Sequence, residues 1–371
     1  MDSHVGNAGH QKLMFITTLR GMACLIIIFE HVFMGGIKKL NDTWSYFPDM
    51  NYDNRYLIQP YISSFIATFD FSFPAYGVAL FFLITGFTTL LSLSENSNSK
   101  YLVKRVFRIY PTYIASFSIT VLSVYIYCRY RNVSFPYTLK DYLCHISMFR
   151  NWLWSPYIDQ GVWTLELNMD FYIFIFFAYK LLRGGEQKKV NIVAIVLGVI
   201  QIGVFVASNN VIVGTVLWCR LYTLLKVIPY IVFQLIGFTI CNHFFNKISV
   251  LELCKSIVVL LGIFIVTCYF SIENTVNIAS YIYGIVTFLG FYAARGELRN
   301  AKILNGIAII SYPLYVMHGL IGYIILAILN AYSNDFYLSF IVAVSIPMIL
   351  ATIIHVTVEK TSIRLYKRLF G

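Results

Sequence analysis

The chain has 371 residues, of which 58% are hydrophobic and only 12% charged, and its net charge is +11. Soluble domains carry about 25% charged residues, so this composition excludes a water-soluble enzyme, a disordered chain and a soluble nucleic-acid binder. The apolar runs are continuous and close to the roughly 20 residues that cross a bilayer as a helix. A membrane β-barrel would instead alternate apolar and polar positions in segments of about 10 residues.

The predicted fold is an all-α polytopic membrane protein with a single transmembrane domain over residues 1–371 and no additional periplasmic domain. Arg20, Glu30 and His31 interrupt the first apolar stretch and no cleavage site follows it, so a signal peptide is not expected. The ten predicted spans are 14–34, 74–94, 109–127, 162–182, 190–207, 219–240, 255–271, 277–293, 303–329 and 338–358.

The basic residues predict the orientation of these spans. Ten crossings put both termini on one face of the membrane, and that face carries 18 of the 28 Lys and Arg residues, against 7 on the other face. Such a bias marks the cytoplasmic side, so both termini are predicted in the cytoplasm. The surplus positive charge then follows from topology, and a nucleic-acid partner is not needed to explain it.

Residues 35–73 and 128–161 form the two long outer connections, and both are rich in aromatic side chains. Such residues form interfacial belts in membranes, or platforms that stack on a flat ligand such as a sugar. Cys128 and Cys144 both fall in the second connection and can pair there, and the seven cysteines show no zinc-binding spacing. The aromatic residues include Trp44, Tyr46, Tyr52, Tyr56, Trp152 and Trp154.

The first span contains Arg20 and His31. A buried Arg costs about 2.5–3.5 kcal/mol on insertion scales, so it needs a reason. On an ideal helix the two side chains share one face, about 16 Å apart along the axis. This stripe suits an anionic cofactor that reaches through a bundle. Alternatively, Arg20 extends to the cytoplasmic surface and His31 is an interface residue. Glu30 points about 100° away and can pair with a basic group on another helix.

A second basic cluster, Lys104, Arg105 and Arg108, precedes the third predicted span. Arg105 and Arg108 face the same way on a helix because they are three residues apart, and paired guanidinium groups bind phosphates. Ordinary cytoplasmic charge bias explains the cluster equally well. Other polar residues in or beside spans are either functional or helix-packing residues: Trp163, Glu166, Asp170, Tyr172, Arg220 and His318.

Taken together, these segments resemble the membrane-bound acyltransferase 3 family of bacterial envelope O-acyltransferases. The motifs run in family order over residues 11–368. They are Arg20 and His31 with ten residues between them, Gly77–Phe87, Arg105-x-x-Arg108 followed by Ile109-Tyr110-Pro111, Trp163-Thr164-Leu165-Glu166 with Phe171-Tyr172, Ser311-Tyr312-Pro313-Leu314-Tyr315 with His318, and Glu359-Lys360.

The chain also departs from the family pattern at three positions. Ala79 stands where an acidic residue is frequent, Asn168 where Glu is usual, and Thr361 where Pro is common. The change at Asn168 puts a carboxylate role there in doubt, unless Glu166 or Asp170 substitutes for it.

The resemblance implies transfer of an acyl group, most often acetyl, from cytoplasmic acyl-CoA to a hydroxyl of an envelope glycan outside a bacterial inner membrane. The glycan would be O-antigen, capsule or exopolysaccharide, and no metal is expected. Arg20 and His31 would be catalytic, with His31 as general base or as acyl carrier. Arg105, Arg108 and Lys104 would hold the CoA phosphates. Supporting or substrate-binding roles would fall to Glu30, Trp163, Glu166, Tyr172, Arg220 and His318.

Two other functions fit a ten-helix protein with intramembrane charges. One is a flippase or exporter of a lipid-linked sugar, and the other is a glycan polymerase. Transport moves its substrate without covalent change and needs no CoA, and the ordered set of motifs favours the enzyme.

Overall fold

Each of the ten predicted spans coincides with a helix in the computed structural model. The structure describes residues 2–35, 44–48, 59–95, 97–182, 184–271, 276–298, 300–333 and 335–370, and no β-strand occurs in this part of the chain. The helices are α1 (Asp2–Ile28), α2 (Gln59–Phe69), α3 (Phe73–Glu95), α4 (Asn98–Tyr130), α5 (Leu139–Ile146), α6 (Arg150–Leu153), α7 (Trp163–Leu182), α8 (Gln187–Ser208), α9 (Val216–Phe244), α10 (Val250–Tyr269), α11 (Ile278–Ala293), α12 (Lys302–Asn330), α13 (Phe336–Ile354) and α14 (Lys360–Phe370).

The polytopic fold predicted from the apolar runs is confirmed. Within the described residues, nine helical segments are long and apolar enough to cross a membrane. The remaining predicted span, 162–182, corresponds to α7, a helix of 20 residues. It carries three charged residues, Glu166, Asp170 and Lys180.

Helix α4 differs most from its predicted span. It begins at Asn98 rather than near residue 109 and has 33 residues, which corresponds to about 50 Å. Lys and Arg are good helix formers, so the helix continues through the basic segment where the apolar run stops. Arg105 and Arg108 therefore lie inside α4, on its first turns, and not ahead of it.

Three helices form the centre of the bundle. The most apolar windows of α3, α9 and α12 are 78%, 83% and 78% buried, whereas those of α8 and α13 are only 28% buried. Helices α3 and α9 approach closely at Gly86 and Gly237, where a β-carbon would overlap the carbonyl groups of Gln234 and Leu83. Small residues allow this approach in membranes, where close packing replaces the hydrophobic driving force.

Two helices continue into π-helical segments. Residues Phe29–Gly35 extend α1, and His355–Glu359 link α13 to α14. The ideal α-helical geometry assumed between Arg20 and His31 therefore does not hold at its end, because Phe29–Gly35 is π-helical. Single π-helical turns occur often at functional sites, and these two carry His31 and Glu359.

The two faces of the bundle differ in their connections. The terminal face, as we call it, holds the start of α4 and the end of α14, where Lys100 donates a hydrogen bond to the carbonyl of Phe370 at 3.3 Å. The opposite face holds α5, α6 and the turn Gln160–Val162.

Among the described residues, the aromatic side chains of the two long outer connections divide between buried and exposed positions, with Tyr61 and Phe69 exposed. Trp44 and Tyr46 are buried, and the indole of Trp44 donates to the carbonyl of Ile158 at 3.1 Å. Trp154 is 47% exposed. Tyr52 and Tyr56 lie outside the described residues. Cys128 and Cys144 are both free and buried, so the pairing that their positions allow is not formed.

Candidate functional site

A cavity near the terminal face brings together residues from α1, α4, α7, α12 and the second π-helical segment. We call it the arginine cavity. It encloses about 950 Å³ of empty space, part of it open to the outside, which is within the range of small-molecule sites. Its polar lining includes Arg20, Arg105, Arg108, Asn168, Tyr172, Tyr312 and Glu359.

Positive charge dominates this cavity. Arg20 interacts electrostatically with Arg105 and Arg108, which repel it, and with Glu359, which attracts it. Glu359 is itself paired with the Nδ1 atom of His355 at 2.7 Å. Within the described residues none of the three arginines makes an ion pair shorter than 4.0 Å with a carboxylate. The cavity therefore favours a ligand that carries several negative charges.

Arg105 is held in place by aromatic rings and by the backbone. Its guanidinium carbon lies 4.9 Å from the ring centre of Tyr172 and 5.7 Å from that of Tyr101, and Nη2 donates to the carbonyl of Thr88 at 3.1 Å. Its Nε atom and the Oδ1 atom of Asn168 are buried without a protein partner. Buried polar atoms are normally satisfied, so a bound polar group would complete both.

The position of Asn168 answers the question raised by its departure from the family pattern. Asn168 lines the arginine cavity, whereas Glu166 and Asp170 do not. Glu166 accepts from Arg150 at 3.1 Å, and Asp170 accepts from the indole of Trp152 at 2.8 Å. Neither carboxylate takes the place of the missing Glu, because residues two positions away on a helix point about 200° apart.

His31 meets His318 of α12 deeper in the bundle. The Nδ1 atom of His31 lies 2.8 Å from Nε2 of His318, and the two rings are parallel, with centres 5.0 Å apart. The Nδ1 atom of His318 is 2.8 Å from the carbonyl oxygen of Tyr315 and 3.2 Å from that of Leu314. His31 thus faces another helix and contacts His318, a second candidate site residue.

These distances assign the protons of a neutral histidine pair. A carbonyl oxygen only accepts, so Nδ1 of His318 carries a proton and its Nε2 atom bears a lone pair. Nδ1 of His31 must then donate to that lone pair. The Nε2 atom of His31 is left unprotonated, which is the form that a general base or a nucleophile needs.

Tyr315 stands between the arginine cavity and the histidine pair. It lines the cavity, and its ring centre is 5.6 Å from that of His318. Its hydroxyl donates to the carbonyl of Gly161 at 3.1 Å and lies 2.6 Å from the hydroxyl of Thr164. His31 and His318 do not line the cavity. The path for a cofactor that reaches along the stripe from Arg20 to His31 is therefore interrupted at Tyr315.

Asp159 approaches the pair from the loop on the opposite face. Both carboxylate oxygens lie 4.0 Å from the position that a β-carbon of Gly319 would take, directly after His318. Oδ1 accepts from the backbone N–H of Gly161 at 2.8 Å. Burial raises the pKa of the Asp159 carboxyl to about 6, although the hydrogen bond from Gly161 partly opposes this shift.

Other predicted site residues lie elsewhere. Lys104, Glu30 and Arg220 do not line the arginine cavity. Trp163 packs between aromatic rings of α3 and α9, with ring centres 6.4 Å from Phe82 and 5.5 Å from Tyr230.

Sequence reasoning missed four residues that the fold brings to the site. Arg150 was counted only as a charge of the outer face, and Asp159 was not considered. Tyr315 and Glu359 belong to family motifs, which was the available signal for both. Among the described residues, no group of three or more His, Cys, Asp and Glu side chains is arranged to hold a metal ion.

A family model described as an acyltransferase domain matches residues 14–357. The chain belongs to the acyltransferase 3 family. No curated protein and no solved structure matches the chain. The resemblance drawn from the motifs is confirmed, and the protein is a membrane acyltransferase.

Proposed function

We propose that this acyltransferase 3 protein transfers an acyl group, most often acetyl, from acyl-CoA to a hydroxyl of a bacterial envelope glycan. The proposal rests mainly on one observation: a cavity with three arginines and an imidazole with an unprotonated Nε2 atom lie in one bundle, separated by Tyr315. The positive-inside bias favours the cytoplasmic side of a bacterial inner membrane for the arginine cavity. The acceptor would then approach from outside.

The donor would bind through its phosphates. Coenzyme A carries a diphosphate and a further phosphate, and guanidinium groups bind phosphate oxygens in a bidentate manner. Arg105 and Arg108 lie at the start of α4, and Arg20 adds a third positive charge to the same cavity. Their charges are mostly uncompensated, so phosphate binding does not have to break an existing ion pair. The thioester would supply the acyl group to the deeper end of the site.

His31 would perform the chemistry in one of two ways. As a general base, Nε2 takes the proton of the acceptor hydroxyl, the oxygen forms a bond to the acyl carbon, and the carbon–sulfur bond breaks. The thiolate of CoA leaves and is then protonated. As an acyl carrier, Nε2 first forms a bond to the acyl carbon while the carbon–sulfur bond breaks and the thiolate of CoA leaves. The acceptor hydroxyl then forms its bond to the acyl carbon, the carbon–nitrogen bond breaks, and Nε2 takes the hydroxyl proton. In either case His318 holds the proton of His31 on Nδ1.

The test uses full-length protein in nanodiscs with radiolabelled acetyl-CoA and glycan isolated from the host envelope. We expect ester-linked acetate on the glycan, released by mild base. Rapid quenching without glycan separates the two mechanisms, because an acyl carrier accumulates label on the protein that hydroxylamine removes. Movement of lipid-linked glycan across the bilayer without acetate incorporation would contradict the proposal and favour transport.

A further inference from the structure

A second cavity opens between α6 and α9, near the opposite face of the bundle. We call it the aromatic cavity. It encloses about 600 Å³ of empty space, part of it open to the outside. Its lining includes Arg150, Trp154, Tyr157, Tyr222 and Lys226. These residues do not line the arginine cavity, so the two spaces are distinct.

Two basic side chains with different surroundings line this cavity, and Lys226 donates to the hydroxyl of Tyr157 at 3.4 Å. Arg150 is 4% exposed. It donates to Glu166 at 3.1 Å and to the carbonyl of Ser155 at 2.7 Å, so its charge is largely used inside the fold. Lys226 is half-buried, with its Nζ atom 5.8 Å from the ring centre of Tyr157 and 5.9 Å from that of Trp163. The described residues that line the cavity include two cations and no carboxylate.

Three aromatic rings form one wall and its rim. The ring centre of Trp154 lies 5.6 Å from that of Trp218 and 5.3 Å from that of Tyr222, edge to face in both cases. Trp154 is 47% exposed, so part of its ring surface is accessible to a ligand. Flat aromatic faces of this kind stack on the apolar face of a pyranose ring.

The backbone holds Trp154 in a strained conformation. Its φ is +55°, in the left-handed region that bulky residues rarely adopt. Its N–H donates back towards the carbonyl groups of Arg150 and Asn151. Such outliers persist only where the surrounding structure enforces them, and they cluster at functional sites.

Two buried polar atoms supply independent evidence for a ligand. The Nε atom of Arg150 and the Nδ2 atom of Asn151 are buried and have no hydrogen-bond partner, and both residues line the aromatic cavity. Both atoms are donors. An acceptor-rich group in the cavity, directly or through water, would satisfy them.

We propose that the aromatic cavity binds the acceptor glycan through an anionic sugar residue, with the ring on Trp154 and the negative group at Lys226. A carboxylate of a uronic acid and a phosphate on the sugar share this chemistry. This inference rests on the proposed function, because it treats the glycan as the acceptor. It adds that the acceptor is acidic.

The experiment measures binding to purified full-length protein in nanodiscs of neutral lipid by isothermal titration. One probe is a tetrasaccharide of alternating glucuronate and N-acetylglucosamine, and the other is the neutral tetramer of N-acetylglucosamine. We expect the acidic probe to bind at least about tenfold more tightly, which corresponds to about 1.4 kcal/mol. Competition with inorganic phosphate and with free glucuronate tells whether the site prefers a phosphate or a carboxylate.

Substitutions then separate the roles of the two side chains. Lys226→Gln should weaken the acidic probe about tenfold and leave the neutral one unchanged, whereas Lys226→Arg should keep most of the preference. Trp154→Ala should weaken both probes. Lys255→Gln, an exposed lysine at the terminal face, is the matched control and should change neither.

Three results would overturn the inference: equal binding of the two probes, an unchanged affinity of Lys226→Gln for the acidic probe, and binding of anionic lipid vesicles in place of either sugar. Acetyl-CoA binding is measured in the same samples. It should match the wild type in Lys226→Gln and Trp154→Ala. A wild-type protein that binds the acidic probe but not acetyl-CoA would defeat the proposed function and leave this cavity assignment standing.

Discussion

The arginine cavity and the aromatic cavity are lined by similar residue types, arginine and tyrosine, in different arrangements. Each has a buried arginine against tyrosine rings: Arg105 lies 4.9 Å from the centre of Tyr172, and Arg150 packs over Tyr157 at 3.3 Å. Arg150 also pairs with Glu166 at 3.1 Å. Arg105 has no carboxylate partner within the described residues and instead shares its cavity with two more arginines.

This difference separates structural charge from functional charge. A buried ion pair compensates the loss of hydration within the fold, so Arg150 and Glu166 stabilise each other, and only the Nε atom of Arg150 is left for a ligand. Three arginines that share a cavity with a single carboxylate repel one another and are stabilised when an anion arrives. The number of partners that a buried arginine has therefore tells which arginines are available for a ligand.

The largest expected effect concerns His31. His31→Ala should reduce glycan acetylation at least about a hundredfold, because His318, the neighbouring base, contacts Nδ1 of His31 and not its reactive Nε2 atom. Acetate released from purified glycan measures the effect, and acetyl-CoA binding should stay within about twofold. His243→Ala is the control, since His243 bonds the hydroxyl of Tyr292 at the end of α9. Normal acetate in the His31 variant would refute the assignment.

The comparison itself predicts opposite outcomes for two arginines. Arg150→Leu leaves the buried Glu166 without its partner, so we expect a loss of about 3–5 kcal/mol of stability, seen as a lower melting temperature in detergent. Arg105→Leu should leave the melting temperature nearly unchanged and weaken acetyl-CoA binding about tenfold or more. Arg129→Leu, at the exposed end of the same helix as Arg105, should do neither. Similar behaviour of Arg105 and Arg150 would break the distinction.

His318 is expected to act as a positioning residue. His318→Leu removes the acceptor for the Nδ1 proton of His31, so both tautomers become available and kcat should fall about tenfold with KM for acetyl-CoA unchanged. His318→Gln offers a carbonyl oxygen as acceptor and should recover part of kcat. A merely packing role would make Leu the milder change, because it is apolar and similar in volume. Steady-state kinetics in nanodiscs decide between these outcomes.

The smallest effect is a dependence on pH through Asp159. Its raised pKa of about 6 means that the carboxyl is neutral below pH 6 and charged above it. A charged Asp159 beside Gly319 would stabilise the imidazolium that forms when His31 takes a proton. Activity should therefore rise about two- to threefold between pH 5 and 7, because the carboxyl of Asp159 becomes charged over this range.

The control for this pH dependence is the neutral variant. Asp159→Asn keeps an oxygen that can accept the N–H bond of Gly161 but carries no charge. The gain with pH that comes from Asp159 should disappear in this variant, leaving only the titration of the histidines. Superimposable pH profiles of the wild type and Asp159→Asn would exclude the carboxylate from the mechanism.

The sequence by itself determined the membrane class, the positions of all ten spans to within a few residues at most ends, and the family. The family motifs also singled out Arg20, Arg105, Arg108 and Tyr172, which line the arginine cavity, and His318, which contacts His31. Apolar runs of helical length have only one low-energy solution in lipid, where every backbone polar group must be paired inside the chain. The exception was α4, because its first eleven residues include a basic segment and the apolar run that predicted the span begins only after them.

Only the tertiary structure decided which polar residues act together. His31 and His318 are 287 positions apart in sequence, and no local pattern indicates that their nitrogens meet or which atom carries the proton. No local pattern indicates either that Arg150 is buried and forms an ion pair with Glu166. Side-chain partnership depends on how helices pack against each other, and that packing is set by many contacts between distant segments at once.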